Sequence, residues 1–140
     1  MNEFRLKDNN GCEEKTSEGP LVSIVDDDVS VGRSMQRLLR CSGLRAEAFT
    51  SAEDFFQSGH ARETACLLLD VRMPGLDGLE LQRRLLEASC LPPTIFLSAR
   101  ASEEEERRAL QAGTVNFLRK PVSREKLLQA ILTVLENPTN

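Results

Sequence analysis

Six side chains able to do chemistry follow closely on apolar stretches of this sequence. Asp26, Asp27 and Asp28 come after Leu21–Val25, Asp70 after Ala65–Leu69, Ser98 after Thr94–Leu97, and Lys120 shortly after Val115–Leu118. If the stretches are strands of one open α/β sheet, their carboxyl ends form the rim where ligands bind. Asp26, Asp27 and Asp70 would then converge with Lys120, three carboxylates against one ammonium. At about 4 Å and an effective dielectric near 20, each like-charge pair costs about 4 kcal/mol. Either one carboxyl keeps its proton or a divalent cation sits among them. Hard oxygen donors with room for water and phosphate oxygens suit Mg²⁺. Asp28 has a different task, because a helical stripe begins just behind it and an aspartate there caps the helix.

Other chemistries find little support. His60 is the only histidine and stands beside Gly59 in an expected loop, so a Ser-His-Asp site would depend wholly on it. Cys12, Cys41, Cys66 and Cys90 are widely and irregularly spaced with no C-x-x-C pair, which reads as reduced thiols rather than a zinc site or disulfide framework. Neither G-x-G-x-x-G nor G-x-x-x-x-G-K-[ST] occurs, which argues against a nucleotide site. The net charge of −4 opposes general binding to a phosphate backbone, so no direct contact with nucleic acid is expected. The longest apolar run, Ala65–Leu69, is far below the roughly 20 residues needed to cross a bilayer. The first residues carry no apolar leader, and a cytoplasmic location is expected.

The elements that must position these groups are readable from periodicity. Leu21–Val25, Arg45–Phe49, Ala65–Leu69, Thr94–Leu97 and Val115–Leu118 read as strands. Between them lie helical stripes. Val31, Met35, Leu38 and Leu39 precede Gly43. A short helix starts at Ser51. Asp77 with Glu80, and Ser102 with Glu105, have the spacing of capping boxes, and Gly113 closes the helix that Ser102 opens. Leu127, Leu128, Ile131, Leu132 and Leu135 form a last stripe. Glu103–Arg107 and Glu104–Arg108 have i,i+4 spacing on the fourth helix. Such alternation implies right-handed crossovers and a doubly wound parallel sheet covered on both faces. Residues 1–19 lack apolar periodicity and read as a mobile tail, with the folded domain over 20–137.

The motifs Val25-Asp26-Asp27-Asp28, Leu69-Asp70-Val71-Arg72-Met73-Pro74-Gly75-Leu76-Asp77-Gly78, Leu97-Ser98-Ala99, Ala112-Gly113 and Lys120-Pro121 together resemble the receiver domain of bacterial two-component response regulators. The Asp70–Leu81 stretch is most similar to the nitrogen-fixation and nodulation type. That resemblance implies a flavodoxin-like (βα)5 fold with strand order 2-1-3-4-5, the order the general rule for doubly wound sheets gives for a member of this family. It implies Asp70 as phosphoacceptor, fed by a sensor histidine kinase. Mg²⁺ would be held by Asp27, Asp70 and the Arg72 backbone carbonyl, and by Asp26 through water. Lys120 would pair with Asp70, Ser98 and the Ala99 amide would meet the phosphoryl group, and Lys120-Pro121 would be cis. Ser98 and Phe117 would form the switch, with Phe117 as plain core packing the open alternative. The surface of helix four, strand five and helix five would carry the signal and a phosphorylation-linked homodimer.

Departures from the family pattern are Val122, where many relatives carry an aromatic, and Arg72 and Arg100 at the pocket mouth. Relatives of this type commonly continue into a DNA-binding helix-turn-helix, so a single-domain receiver and an excised one both stay open. The chain is expected to catalyse nothing beyond its own phosphorylation and dephosphorylation. A phosphatase of the haloacid-dehalogenase kind would need a second aspartate where Arg72 stands, and arginine does not give up its proton. A phosphorylation-independent interaction module with this fold is the other alternative.

Overall fold

A computed structural model describes residues 19–137; the tail expected over 1–19 lies outside them, Gly19 excepted. The elements are β1 (Leu21–Val25), α1 (Val29–Cys41), β2 (Arg45–Phe49), α2 (Ala52–Ser58), a 3₁₀ turn (His60–Glu63), β3 (Thr64–Leu69), α3 (Gly78–Glu87), β4 (Thr94–Ser98), α4 (Glu103–Gln111), β5 (Asn116–Arg119) and α5 (Arg124–Glu136). The strands form one five-stranded parallel sheet in the order β2-β1-β3-β4-β5, as the resemblance implies.

Successive strand side chains point to opposite faces, and the core divides accordingly. Val22, Ile24, Cys66, Leu68, Ile95 and Leu97 meet α1 and α5 through Met35, Leu39, Leu127 and Ile131. Val25, Leu67, Leu69 and Phe96 meet α2, α3 and α4 through Phe55, Leu81, Leu85 and Ala109. β3 is apolar from Ala65 to Leu69 because it feeds both halves. It begins at Thr64, one residue before the expected strand, where the Thr64 hydroxyl meets the Ser23 hydroxyl at 2.7 Å in the interior.

The caps explain where the helices start. Asp28 accepts from the Ser30 and Val31 amides, Ser51 from Asp54, and Ser123 from Lys126. Ser102 and Glu105 form a complete capping box. Asp77 accepts from the Glu80 amide, but the Glu80 carboxylate is taken by Arg83 and Arg84, so the expected box is half made. On α4, Arg107 pairs with Glu104 one turn back at i,i+3, correcting the expected i,i+4 pairing with Glu103. β5 starts at Asn116 rather than Val115, whose side chain is exposed at its edge. Cys66 and Cys90 are free thiols, but Cys41 is disulfide-bonded, against the expectation of reduced cysteines throughout. Among the described residues, no helix is long and apolar enough to cross a membrane.

Ile131 is fully buried, whereas neighbouring Leu132 is 41% exposed. Ile131→Ala is expected to lower stability by about 2–5 kcal/mol in urea unfolding. Leu132→Ala should cost less than about 1 kcal/mol, because much of its side chain is already in water.

Candidate functional site

The sheet ladder continues past the last strand residues, and this brings the acids together. The Asp26 amide donates to the Phe49 carbonyl at 3.1 Å, and the Asp70 amide to the Val25 carbonyl at 3.1 Å. Asp26 and Asp70 therefore leave adjacent strands side by side. The Lys120 amide donates to the Ser98 carbonyl at 3.0 Å, which sets Lys120 on the same rim from the far end of the sheet. The Lys120–Pro121 bond is cis, as the resemblance implies.

Asp26, Asp27 and Asp70 each present a carboxylate oxygen within 4.8 Å of the others. They line a cavity of about 210 Å³ together with Asp28, Ser98 and Lys120, among others. The three differ in exposure: Asp26 is buried, Asp70 half-buried and Asp27 exposed. Asp28 spends its carboxylate on α1, as expected, so it is a cap rather than a fourth ligand. Its amide donates to Asp26 Oδ1 at 2.9 Å and fixes that side chain. Three hard oxygen donors opening on one small polar cavity fit a Mg²⁺ ion.

Lys120 Nζ donates to Asp26 Oδ2 at 2.8 Å and lies 3.7 Å from Asp70 Oδ2. The pairing with Asp70 implied by the resemblance is therefore the longer of two. Asp26 wins because it is the more deeply buried carboxylate and is already oriented by the Asp28 amide. Burial raises the Asp70 carboxyl above its usual range and the Asp26 charge adds to this, against the Lys120 ammonium, the Arg72 amide and the Ser98 hydroxyl. Burial pulls the Lys120 ammonium down, but its hydrogen bond to Asp26 and the field of Asp70 outweigh this, so its affinity for the proton rises.

The remaining expected residues also stand at this rim or behind it. The Arg72 amide approaches Asp70 Oδ1 at 3.4 Å. Ser98 is buried, and its Oγ accepts from the Arg100 amide at 3.4 Å, while Ala99 lines the cavity. Phe117 is half-buried and stacked on Phe96, ring centroids 5.7 Å apart. The Arg119 guanidinium lies over the Phe117 ring, 5.4 Å from its centre.

Two supporting residues escaped the sequence reading. A side chain at Gly78 would run into the Asp70 carbonyl oxygen and come within 3.1 Å of Phe96 Cε1. Glu53, at the start of α2, accepts from the Leu76 amide at 3.1 Å and holds the loop behind Asp70. Gly78 left one signal: glycine at the first position of a helix gives up propensity, which points to a close backbone approach. Glu53 left none, since its partner is remote in sequence.

An acid-rimmed cavity at the carboxyl ends of a 2-1-3-4-5 parallel sheet defines a flavodoxin-like α/β protein with a charged binding site. Residues 22–132 match the sequence profile of the response regulator receiver domain, and the chain belongs to that family. It is 38% identical over 126 residues to Nodulation protein W of Bradyrhizobium diazoefficiens, covering 90% of this chain and 56% of that protein. The chain thus spans little more than half the length of such curated relatives. Among solved structures, the response regulator StyR superposes with a TM-score of 0.78 at 39% identity, over 85% of this chain and 60% of that one. A receiver protein from Burkholderia phymatum superposes with a TM-score of 0.72 at 39% identity, over 84% and 96%.

The raised Asp70 carboxyl has a consequence for stability. A folded state that favours the protonated acid loses stability as the pH rises through the raised value. Asp70→Asn, which mimics the neutral acid, is therefore expected to raise the melting temperature at neutral pH in chelator-treated buffer. The gain should shrink as the pH falls toward about 4, the ordinary carboxylate range. Gly78→Ala should destabilise by about 1–3 kcal/mol, read by the same thermal melts, because backbone beside Asp70 has to move.

Proposed function

We propose that this chain accepts a phosphoryl group on Asp70 from the phosphohistidine of a sensor histidine kinase, in a Mg²⁺-dependent step of a phosphorelay. The observation that carries the reading is the meeting of Asp26, Asp27 and Asp70 in one cavity with Lys120 spanning two of them. An ionised carboxylate is a competent nucleophile without a general base. A bond forms from an Asp70 oxygen to phosphorus as the kinase's P–N bond breaks. The imidazole nitrogen keeps the electron pair and takes a proton from solvent. Asp27, Asp70 and the Arg72 carbonyl would hold Mg²⁺ directly, and Asp26 through water. When bound, the ion neutralises charge on the phosphoryl oxygens. Lys120 then shifts from the carboxylates toward those oxygens, and Ser98 and the Ala99 amide donate to them.

The output in this reading is a changed surface on α4, β5 and α5, with Ser98 and Phe117 as the moving pair and homodimerisation as one consequence. The protein turns over no substrate beyond its own phosphorylation and dephosphorylation, and works in the cytoplasm.

Incubation with acetyl phosphate and Mg²⁺ is expected to add ~80 Da by intact mass, the mass of one phosphoryl group on the nucleophile. The adduct should be lost in Asp70→Asn and in chelator. An unmodified wild-type protein, or an Asp70→Asn variant that still gains the mass, overturns the reading. Partner binding indifferent to both would favour a phosphorylation-independent module instead.

A further inference from the structure

Two features of the α4 start stand outside the roles already assigned. The Arg72 guanidinium donates from Nη2 to Glu105 Oε1 at 2.9 Å, joining the loop after the phosphoacceptor to the first turn of α4. The same Glu105 oxygen accepts from the Ser102 amide at 2.9 Å, as the returning half of the capping box. Arg119, at the end of β5, donates to Glu106 Oε1 at 2.7 Å and to the Ala101 carbonyl at 2.6 Å. The α4 start is therefore held by two arginines, one from β5 and one from the loop after Asp70.

We propose that Arg72 is a shared cation, paired with Glu105 while Asp70 is unmodified and drawn off by a phosphoryl group on Asp70, so that phosphorylation unties α4 from the loop after β3. This rests on Asp70 as phosphoacceptor. Arg72 is two residues from Asp70, its amide already points at Asp70 Oδ1, and it is one of the residues lining the same cavity. The competition favours the newcomer on geometry: a phosphoryl group presents three strong acceptor oxygens, and guanidinium binds phosphate oxygens in a two-point fork. The present pair is a weak competitor, because half of the Arg72 side chain is in solvent.

Glu105 keeps its bond to the Ser102 amide when Arg72 leaves, so the helix survives. What is lost is the tie to the site. Arg119 is not one of the residues lining that cavity, so the release is one-sided, with the α4 start left hinged on β5. Arg72 acts here as a positioning residue for α4.

Amide hydrogen exchange at Glu105 and Glu106 reads the first turn of α4, since these amides donate to Ser102 Oγ and to the Ser102 carbonyl. The full chain is compared with Arg72→Gln, Glu105→Gln and the double variant, with and without acetyl phosphate and Mg²⁺, adducts being followed by intact mass. Without phosphodonor, each single variant should exchange about two- to five-fold faster than wild type, as expected for loss of an exposed ion pair. The double variant should be no faster than the singles, since all three lose one shared interaction. Phosphodonor should speed exchange in wild type and have a smaller effect in variants that still gain ~80 Da, the mass that also reports an intact site. Wild type that takes the adduct without faster exchange, or variants whose response equals that of wild type, overturns the shared-cation role alone. Wild type that takes no adduct overturns this role and the phosphoacceptor reading together.

Discussion

Everything at the functional end of this molecule depends on a parallel ladder that forces negative charges together. Asp26 and Asp70 do not drift into proximity through flexible loops. Their backbone amides are bonded into the neighbouring strands, so the fold decides the spacing of their carboxylates before any ligand arrives. Lys120, delivered by the opposite end of the sheet, relieves part of the repulsion and leaves Asp70 with a raised affinity for protons. A site that is electrostatically unsatisfied, with the backbone of Asp26 and Asp70 fixed by the ladder, is suited to capture a cation.

That mechanical fixity has a second layer behind the rim. Phe96, on the sheet face toward α3 and α4, stands between Gly78 and Phe117. Gly78 touches the backbone of Asp70, and Phe117 lies on the neighbouring strand under the Arg119 guanidinium. One aromatic ring thus lies against both the glycine that backs Asp70 and Phe117, the residue at the family's switch position. Asp70, Gly78, Phe96 and Phe117 form one close-packed series from the rim to β5.

Local chemistry was legible in the sequence wherever the partners are near neighbours in the chain. All five strands and the Asp28, Ser51 and Ser102 caps follow from periodicity and from the hydrogen-bonding capacity of short polar side chains. The aspartate cluster was legible too, because the ends of parallel strands share one rim whatever the loops do. Choices among competing partners were not. Lys120 could satisfy Asp26 or Asp70, Glu80 could turn to its own helix start or to Arg83, and Arg107 had acids at both i−3 and i−4. Each was settled by rotamers and burial that spacing does not encode. Glu53 was hidden for a further reason: what it touches is the backbone of a residue far away in the chain, and Gly78 showed only as a glycine opening a helix.

The run Asp26-Asp27-Asp28 shows how finely adjacent identical residues can be differentiated. One is buried and bonded to lysine, one faces the solvent, and one closes the end of α1, with the third residue's amide steering the first. Their interchangeability on paper is therefore misleading. A single-codon deletion inside the run would preserve its acidic look, yet leave two carboxylates for three tasks. Alignments that slide this triplet by one would look harmless while describing a different protein.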